Sequence, residues 1–306
     1  MLCTTLVACD LGTTIEPSLK PQSRPAAVAV PAPPIVAKPT SQESALLRSY
    51  LNEVLQAQLA QGLLRTDGGG PDTPYDADTL SRNFEQIAFY NEYNSNFTGR
   101  GGASPLRRWA VPVRMEVIFG AGVPPSQRKS DSADITRYAS RLSRVTGHPV
   151  SANAKRPNFL VIIASEDDRA DTLASLGNRL PGITPASLRA LRDMRRDTYC
   201  AVAAYATGPN ANTYTAAVAV IRAENPDLLR RSCIHEELAQ GLGLANDSPG
   251  ARPSIFNDDD EFALLTRHDE LLLQMLYDRR LAPGMSARDA APLTRIIARE
   301  LTNGPL

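Results

Sequence analysis

The sequence lacks most of the features from which a function is usually inferred. Its 33 basic and 33 acidic residues cancel, so there is no electrostatic reason to expect binding to nucleic acid or to an acidic membrane surface. After the first few residues, no stretch approaches the roughly 18 apolar residues of a membrane-spanning helix. Neither a nucleophile elbow nor a phosphate-binding glycine loop is present, which leaves serine and cysteine nucleophiles without supporting context. What remains is a 306-residue chain that is 42% hydrophobic, enough for one large or two small domains with a core.

The N-terminus resembles a bacterial lipoprotein signal. Leu6, Val7 and Ala8 precede Cys9, which is the order of a lipobox, in which the cysteine is acylated and becomes the mature N-terminus. A signal peptide carries a basic region and roughly 7–15 apolar residues before its cleavage site. Only eight residues precede Cys9, too few for both parts together, and none of them is basic. We therefore expect residues 1–9 to be a lipoprotein signal whose true start codon lies upstream.

The residues after Cys9 indicate a tether and a location. Asp10 resembles the signal that retains lipoproteins on the inner membrane of enteric bacteria. Residues 10–40 are rich in proline, which favours extended, solvated conformations and prevents a packed core. We expect a linker over 10–40, a single globular domain over 41–306, and a lipid anchor on the periplasmic side of the envelope, with the inner membrane favoured. The expected partners are the membrane, through the anchor, and a periplasmic protein or the cell wall, but not nucleic acid.

Two cysteines remain in the globular part. Cys200 and Cys233 can form one disulfide in an oxidising periplasm, worth about 3–4 kcal/mol by loop-closure arguments. The alternative is a pair of buried thiols. The signs of export favour the disulfide.

Hydrophobic periodicity predicts an α+β domain, with a mixed β-sheet packed against helices. A strand is expected at 107–120, with Val111 directed inward and with Pro112 demoting its first half to an edge or bulge. A central strand is expected at 158–165, and a hairpin from 200–206 with 214–223. Helices are expected at 41–64, 79–93 in part, 134–146, 167–177, 186–194, 226–242, 259–278 and 286–301.

The helix at about 226–242 carries the residues on which the functional interpretation depends. Asn225 is predicted to cap it, Pro226 to start it and Gly243 to end it. Apolar residues fall on two opposite sides of this helix, which predicts that most of its surface is buried. Ionisable groups in such a helix are costly unless they are paired or put to use.

This helix lies within "SCIHEELAQGLGLAND", residues 232–247, whose spacing is similar to that of a zinc-protease helix. Such helices place two histidines at i and i+4 and a glutamate at i+1. A register that starts at His235 fails, because its second ligand position is Ala239.

A register that starts one residue later keeps the spacing. Glu237 then occupies the position of the catalytic glutamate, while Glu236, Gln240 and Asn246 (or Asp247) stand where three histidine ligands would be. Oxygen ligands of this kind suit a hard ion such as Ca²⁺ better than zinc. The sequence therefore predicts Glu237 as the catalytic candidate and the other four residues as binding candidates. A divalent cation is compatible with this set without being firmly implied.

Two blocks of sequence carry a family resemblance. "CIHEELAQGLGLANDSP" and "RPSIFNDDDEFALLTRHDELLLQMLYDRRLAPGM" are similar to a family of proteobacterial lipoproteins known as domain of unknown function 2927. The resemblance extends over roughly residues 80–301. The helix of that family is similar to the active-site helix of zincin-like peptidases, which implies a related fold but no established activity.

The acidic run at 257–261 and His268 each have a structural and a functional interpretation. The acidic run at 257–261 is expected to cap the next helix, the alternative being a supply of oxygen ligands. His268 is expected to be solvated or hydrogen-bonded rather than part of a site.

The leading hypothesis is a non-catalytic binding or structural module with a cleft at Glu236, Glu237 and Gln240. The alternative is a metal-dependent hydrolase with Glu237 as general base.

Overall fold

A five-stranded sheet with helices on both faces organises the part of the chain that the computed structural model describes, which is residues 40–92, 101–177, 179, 182–206, 211–257 and 259–303. The predicted lipidation at Cys9, the signal over 1–9 and all but the last residue of the linker over 10–40 lie outside the described residues. None of the helices in the described ranges is both long enough and apolar enough to span a bilayer.

The helices follow the predicted order. Their bounds are α1 Gln42–Ala60, α2 Ala77–Ala88, α3 Pro125–Thr146, α4 Arg169–Ala174, α5 Pro185–Arg192, α6 Asp227–Gln240, α7 Arg267–Leu276 and α8 Ala287–Thr302. The strands are β1 Arg108–Trp109, β2 Val113–Phe119, β3 Val150–Ser151, β4 Phe159–Ala164, β5 Cys200–Tyr205, β6 Thr213–Tyr214 and β7 Ala216–Arg222.

The sheet is mixed, as predicted. Its strand order is β3-β2-β4-β7-β5, in which the first four strands are parallel and β5 runs antiparallel to β7. The predicted hairpin is formed by β5 and β7, with Cys200 opposite Ile221. All six residues of β4 are buried, which is why this central strand is apolar without alternation. A separate parallel pair joins β1 to β6.

Alternate residues of the central strands pack against different helices. Phe159, Val161 and Ile163 face the larger core, with α2, α3, α6, α7 and α8. Leu160 and Ile162 face a smaller core with the segments around α4 and α5. The period of two along each strand therefore distributes the helices into two layers, with the sheet between them.

Two expectations about the strands were wrong. The segment 107–120 does not form one strand, because the chain breaks around Pro112 into β1 and β2. Val111, expected to point inward, is 46% exposed. Proline cannot donate to a ladder, so the break falls at Pro112. β2 then lies inside the sheet, between β3 and β4.

The acidic run at 257–261 does not cap a helix. α7 begins at Arg267, and Thr266 caps it in a reciprocal box with Asp269. The chain before Thr266 instead contacts α1 and the residues that follow it. The amide of Gln58 in α1 donates to Oδ2 of Asp260, and Leu64 N–H donates to the carbonyl of the same residue. α3 starts at Pro125, nine residues before the expected start. The prediction missed its first turns because their polar residues show no apolar periodicity. The helix ends before Gly147 as expected, and this glycine has φ 64°.

Candidate binding site on the motif helix

The fold holds α6 firmly against the sheet. α6 follows β7 directly and packs on β5 and β7, with Ile234 and Leu238 fully buried in the larger core. It begins at Asp227, one residue later than expected, and Pro226 occupies the cap position predicted for Asn225. It ends at Gln240, and Gly241 rather than Gly243 is the residue that follows it. The predicted burial of this helix is confirmed, since eight of its residues are buried.

The C-terminal end of α6 is closed by the segment around β1. The indole N–H of Trp109 donates to the carbonyl of Gly241 at 2.8 Å. Gly243 has φ +131°, and a Cβ there would lie 2.3 Å from the carbonyl oxygen of Arg107. Only glycine allows this close approach of two backbones, which explains the glycine that the motif places after the helix.

A disulfide joins α6 to the first residue of β5. Cys200 and Cys233 are bonded, with 33 residues of sequence separation and a Cα–Cα distance of 5.8 Å. This confirms the predicted disulfide. Because Cys233 lies one turn before Glu236 and Glu237, the bond fixes the start of β5 beside the acidic pair.

A pocket of about 190 Å³ opens between α6 and the start of β5. Acidic residues dominate its wall, and none of the described residues that line it is basic. The lining residues are Glu92, Asp197, Thr198, Tyr199, Cys200, Ala201, Val202, Glu236, Glu237, Gln240 and Asp260. The arrangement therefore presents several carboxylates to one small opening.

Glu237 is the most unusual group in this pocket. Its side chain is only 4% exposed, and no group in the described part of the chain donates a hydrogen bond to its Oε2. Burial raises the pKa of its carboxyl well above the ordinary value, and the nearby charges of Glu92 and Asp247 raise it further. A carboxyl in this state is stabilised by whatever brings it a proton or a positive charge.

Glu236 shares this environment from the same helix. Burial raises the pKa of its carboxyl, and the charges of Asp247, Glu237, Glu92 and Asp260 add to the effect. The two glutamates and their acidic neighbours therefore cannot all be charged at modest cost in the absence of a cation.

The structure brings together some of the predicted residues and not others. Glu236, Glu237 and Gln240 all line the pocket. The amide nitrogen of Gln240 donates to Oδ1 of Asp247 at 3.1 Å. The amide nitrogen of Asn246 donates instead to the carbonyl of Gln86 at 2.9 Å, which ties the loop after α6 to the end of α2.

His235 and His268 make structural contacts and do not line the pocket. Nδ1 of His235 accepts a hydrogen bond from Leu265 N–H at 3.0 Å, and the ring stacks on Tyr138 with 4.0 Å between centroids. Burial lowers the pKa of His235 to about 3, so its ring is neutral. His268 is fully buried with Nε2 3.1 Å from the amide of Asn83, in agreement with the hydrogen-bonded role expected for it.

The donor set does not suit zinc. Among the described residues, the group whose ligand atoms lie close enough together to hold a metal ion consists of Cys200, Glu236 and Glu237, within 4.8 Å of one another. The sulfur of Cys200 is committed to the disulfide and is not a thiolate, whereas zinc sites use thiolate, imidazole or carboxylate ligands. Two carboxylates remain, fewer than the three protein ligands of a catalytic zinc site.

Three acidic residues of the pocket were not predicted as site residues. Asp260 belongs to the acidic run that was expected to cap α7, and it adopts a left-handed conformation with φ 56°. Its Oδ2 accepts a hydrogen bond from the amide of Gln58 at 2.6 Å. Glu92 and Asp197 lie in loops, where no periodicity or spacing distinguishes them from other exposed acidic residues. Of the three, only Asp260 carried a signal in the sequence.

The fold and the site define an α+β domain with an acidic pocket built on one buried helix. Residues 77–296 match the family described as "Protein of unknown function (DUF2927)", so the chain belongs to this family, as its two sequence blocks predicted. No curated protein matches the chain, and neither does any solved structure.

Proposed function

We propose that the chain is a lipoprotein of the cell envelope whose domain, zincin-like in its motif helix, is a non-catalytic binding module for extended polypeptide segments. The observation that carries the proposal is the pocket between α6 and β5, since it joins an acidic recognition surface to the edge of a sheet.

The edge of the sheet supplies the means of binding an extended chain. β5 is the last strand of the sheet and has no strand on its outer side in the described ranges. Because N–H and C=O groups alternate in direction along a strand, half of those in β5 point away from β7. Such an edge pairs with an incoming strand through its main chain. Cys200, Ala201 and Val202 of this strand also line the pocket, so a segment paired with β5 reaches the acidic side chains.

The same residues argue against a zinc peptidase. Of the positions where histidine ligands would stand, Gln240 is bonded to Asp247 and Asn246 is turned onto the backbone of α2. Glu237 keeps the position of the general base. Among the described residues, however, the group close enough to hold an ion retains two carboxylates once Cys200 is in the disulfide, fewer than the three protein ligands of a catalytic zinc site. The unpartnered oxygen of Glu237 is the observation that favours the alternative, a metal-dependent hydrolase with an atypical site.

The location in the envelope is supported by two features of the chain. The residues before Cys9 have the order of a lipobox. A disulfide such as Cys200–Cys233 persists in oxidising compartments, of which the bacterial periplasm is one.

Main-chain pairing gives a direct test of the binding module. A library of extended peptides is incubated with the purified full chain, and the retained peptides are identified by mass spectrometry. The affinity of a retained peptide is then compared with that of analogues N-methylated at single successive residues. Methylation at alternate positions is expected to weaken binding at least tenfold, because alternate N–H groups face β5. Retention of no peptide, or equal affinity of every N-methylated analogue, would refute binding at the edge of the sheet.

A further inference from the structure

We propose that the acidic pocket selects a lysine-type side chain, whose protonated primary amine contacts Glu236 and Glu237 while its segment pairs with β5. This inference rests on the proposed function and adds the chemistry of the ligand.

The first argument is the charge left unbalanced in the pocket. Several carboxylates of low exposure elsewhere in the described chain have arginine partners: Asp131 with Arg230 at 2.9 Å, Glu261 with Arg65 at 3.0 Å, and Glu270 with Arg141 at 2.9 Å. Others accept hydrogen bonds from hydroxyl or backbone N–H groups, namely Asp168, Glu224 and Asp269. In the pocket, Asp197 has such a partner in Arg195, at 2.8 Å. No arginine or lysine is bonded to Glu236 or Glu237 in the described ranges. The described part of the domain therefore gives these other carboxylates a cation or a hydrogen-bond donor, whereas it bonds no cation to Glu236 or Glu237.

The second argument is the orphaned oxygen of Glu237. A buried acceptor without a donor costs on the order of 1–3 kcal/mol, and more when it is charged. A ligand that brings both a donor and a positive charge removes this cost on binding. A protonated primary amine has three donors and no acceptor, so it can serve Glu236 and Glu237 at once.

The third argument is the size and lining of the pocket. Its volume of about 190 Å³ is several times the roughly 30 Å³ that a water molecule occupies in the liquid. Ala201, Val202 and the Cys200 half of the disulfide provide apolar wall on the side of β5. An aliphatic stem with a charged tip fits such a lining, since the stem packs on the apolar wall while the tip reaches the carboxylates. A metal ion alone fills little of this volume and gains nothing from packing on the apolar wall.

The test compares two peptides that differ in one charge. A peptide retained by the full chain is synthesised with lysine or with norleucine, its uncharged counterpart, at the position that enters the pocket. Isothermal titration calorimetry measures both peptides against the protein with its disulfide intact. We expect the norleucine peptide to bind at least tenfold more weakly. Glu237→Gln and Glu236→Gln are each expected to weaken the lysine peptide by a similar factor and to leave the norleucine peptide unchanged.

The control is Glu53→Gln, an identical chemical change at an exposed position of α1, which is expected to change neither affinity. Equal affinities of the lysine and norleucine peptides would overturn the selection of an amine while leaving edge pairing intact. If neither peptide binds, the proposed function fails and the inference fails with it. Binding of Zn²⁺ or Ca²⁺ alone, at one ion per chain and abolished by Glu237→Gln, would identify a metal site instead and overturn the inference.

Discussion

Glu237→Gln is expected to make the protein more stable at neutral and alkaline pH. The side chain of Glu237 is 4% exposed and its Oε2 has no donor in the described part of the chain. Burial and the neighbouring carboxylates raise the pKa of Glu237 in the folded protein. Among the described residues, the titratable groups that share its pocket or raise its pKa are acidic or neutral: Glu92, Asp197, Tyr199, Glu236, Asp247 and Asp260.

The sign of the effect follows from proton linkage. In the unfolded chain the carboxyl titrates near its ordinary pKa of 4.5, and in the folded protein it holds its proton to higher pH. Between these two pKa values the folded state binds more protons than the unfolded state, so the free energy of unfolding falls as the pH rises. Glutamine at position 237 does not titrate, so the variant does not lose free energy of unfolding in this way as the pH rises.

The expected gain in the free energy of unfolding is the cost of a buried hydrogen-bond acceptor without a partner, about 1–3 kcal/mol. At about pH 8 the variant is therefore expected to gain about 1–3 kcal/mol, or roughly 2–10 °C in melting temperature for a domain of this size. At about pH 4 the carboxyl is protonated in both states, and the difference is expected to nearly vanish.

Urea unfolding followed by circular dichroism, repeated across this pH range, measures the difference. Glu53→Gln provides the matched control, because an exposed glutamate is expected to change stability by less than about 0.5 kcal/mol. A variant that is less stable than the parent at about pH 8, or a gain that does not depend on pH, would refute the reasoning about this carboxyl.

Three further predictions concern the elements that position the pocket. Replacing both Cys200 and Cys233 by alanine is expected to lower the free energy of unfolding by about 3–4 kcal/mol for the loop of 33 residues; an unchanged urea midpoint would contradict this. Gly243→Ala is expected to cost roughly 2–4 kcal/mol, since φ is +131° and the new Cβ meets a backbone carbonyl. Gly250→Ala, which has space around its Cβ, is the control and is expected to be nearly neutral in the same assay. His235 is expected to stay neutral down to about pH 3, so its ¹⁵N NMR shifts should not change between about pH 8 and pH 5; a titration near the ordinary pKa of 6.5 would contradict its burial.

The sequence predicted best those elements whose own pattern is strong. β4 is a continuous apolar run, and α6 lies within two residues of its predicted bounds of about 226–242, so local chemistry determines both. The disulfide followed from the small number of cysteines combined with the signs of export. For β4 and α6 the information lies within a few neighbouring residues, whereas the disulfide needed the composition of the whole chain.

The pocket was harder to predict because its wall comes from distant segments. Glu92, Asp197 and Asp260 lie in loops before or after regular elements, and only the packing of those elements brings them to α6. The acidic run at 257–261 was interpreted as a helix cap because acidic residues favour helix N-termini, yet Thr266 provides the cap. Where a residue has two chemically reasonable roles, the tertiary structure decides between them.

The central claim is that this domain binds extended segments and does not cleave them. The most direct measurement is mass spectrometry of a peptide library after incubation with the full chain and, separately, with its Glu237→Gln variant. The account predicts intact peptides throughout, with those that contain lysine retained by the parent protein. Cleavage products that appear with the parent and are absent with Glu237→Gln would contradict it and would establish a hydrolase.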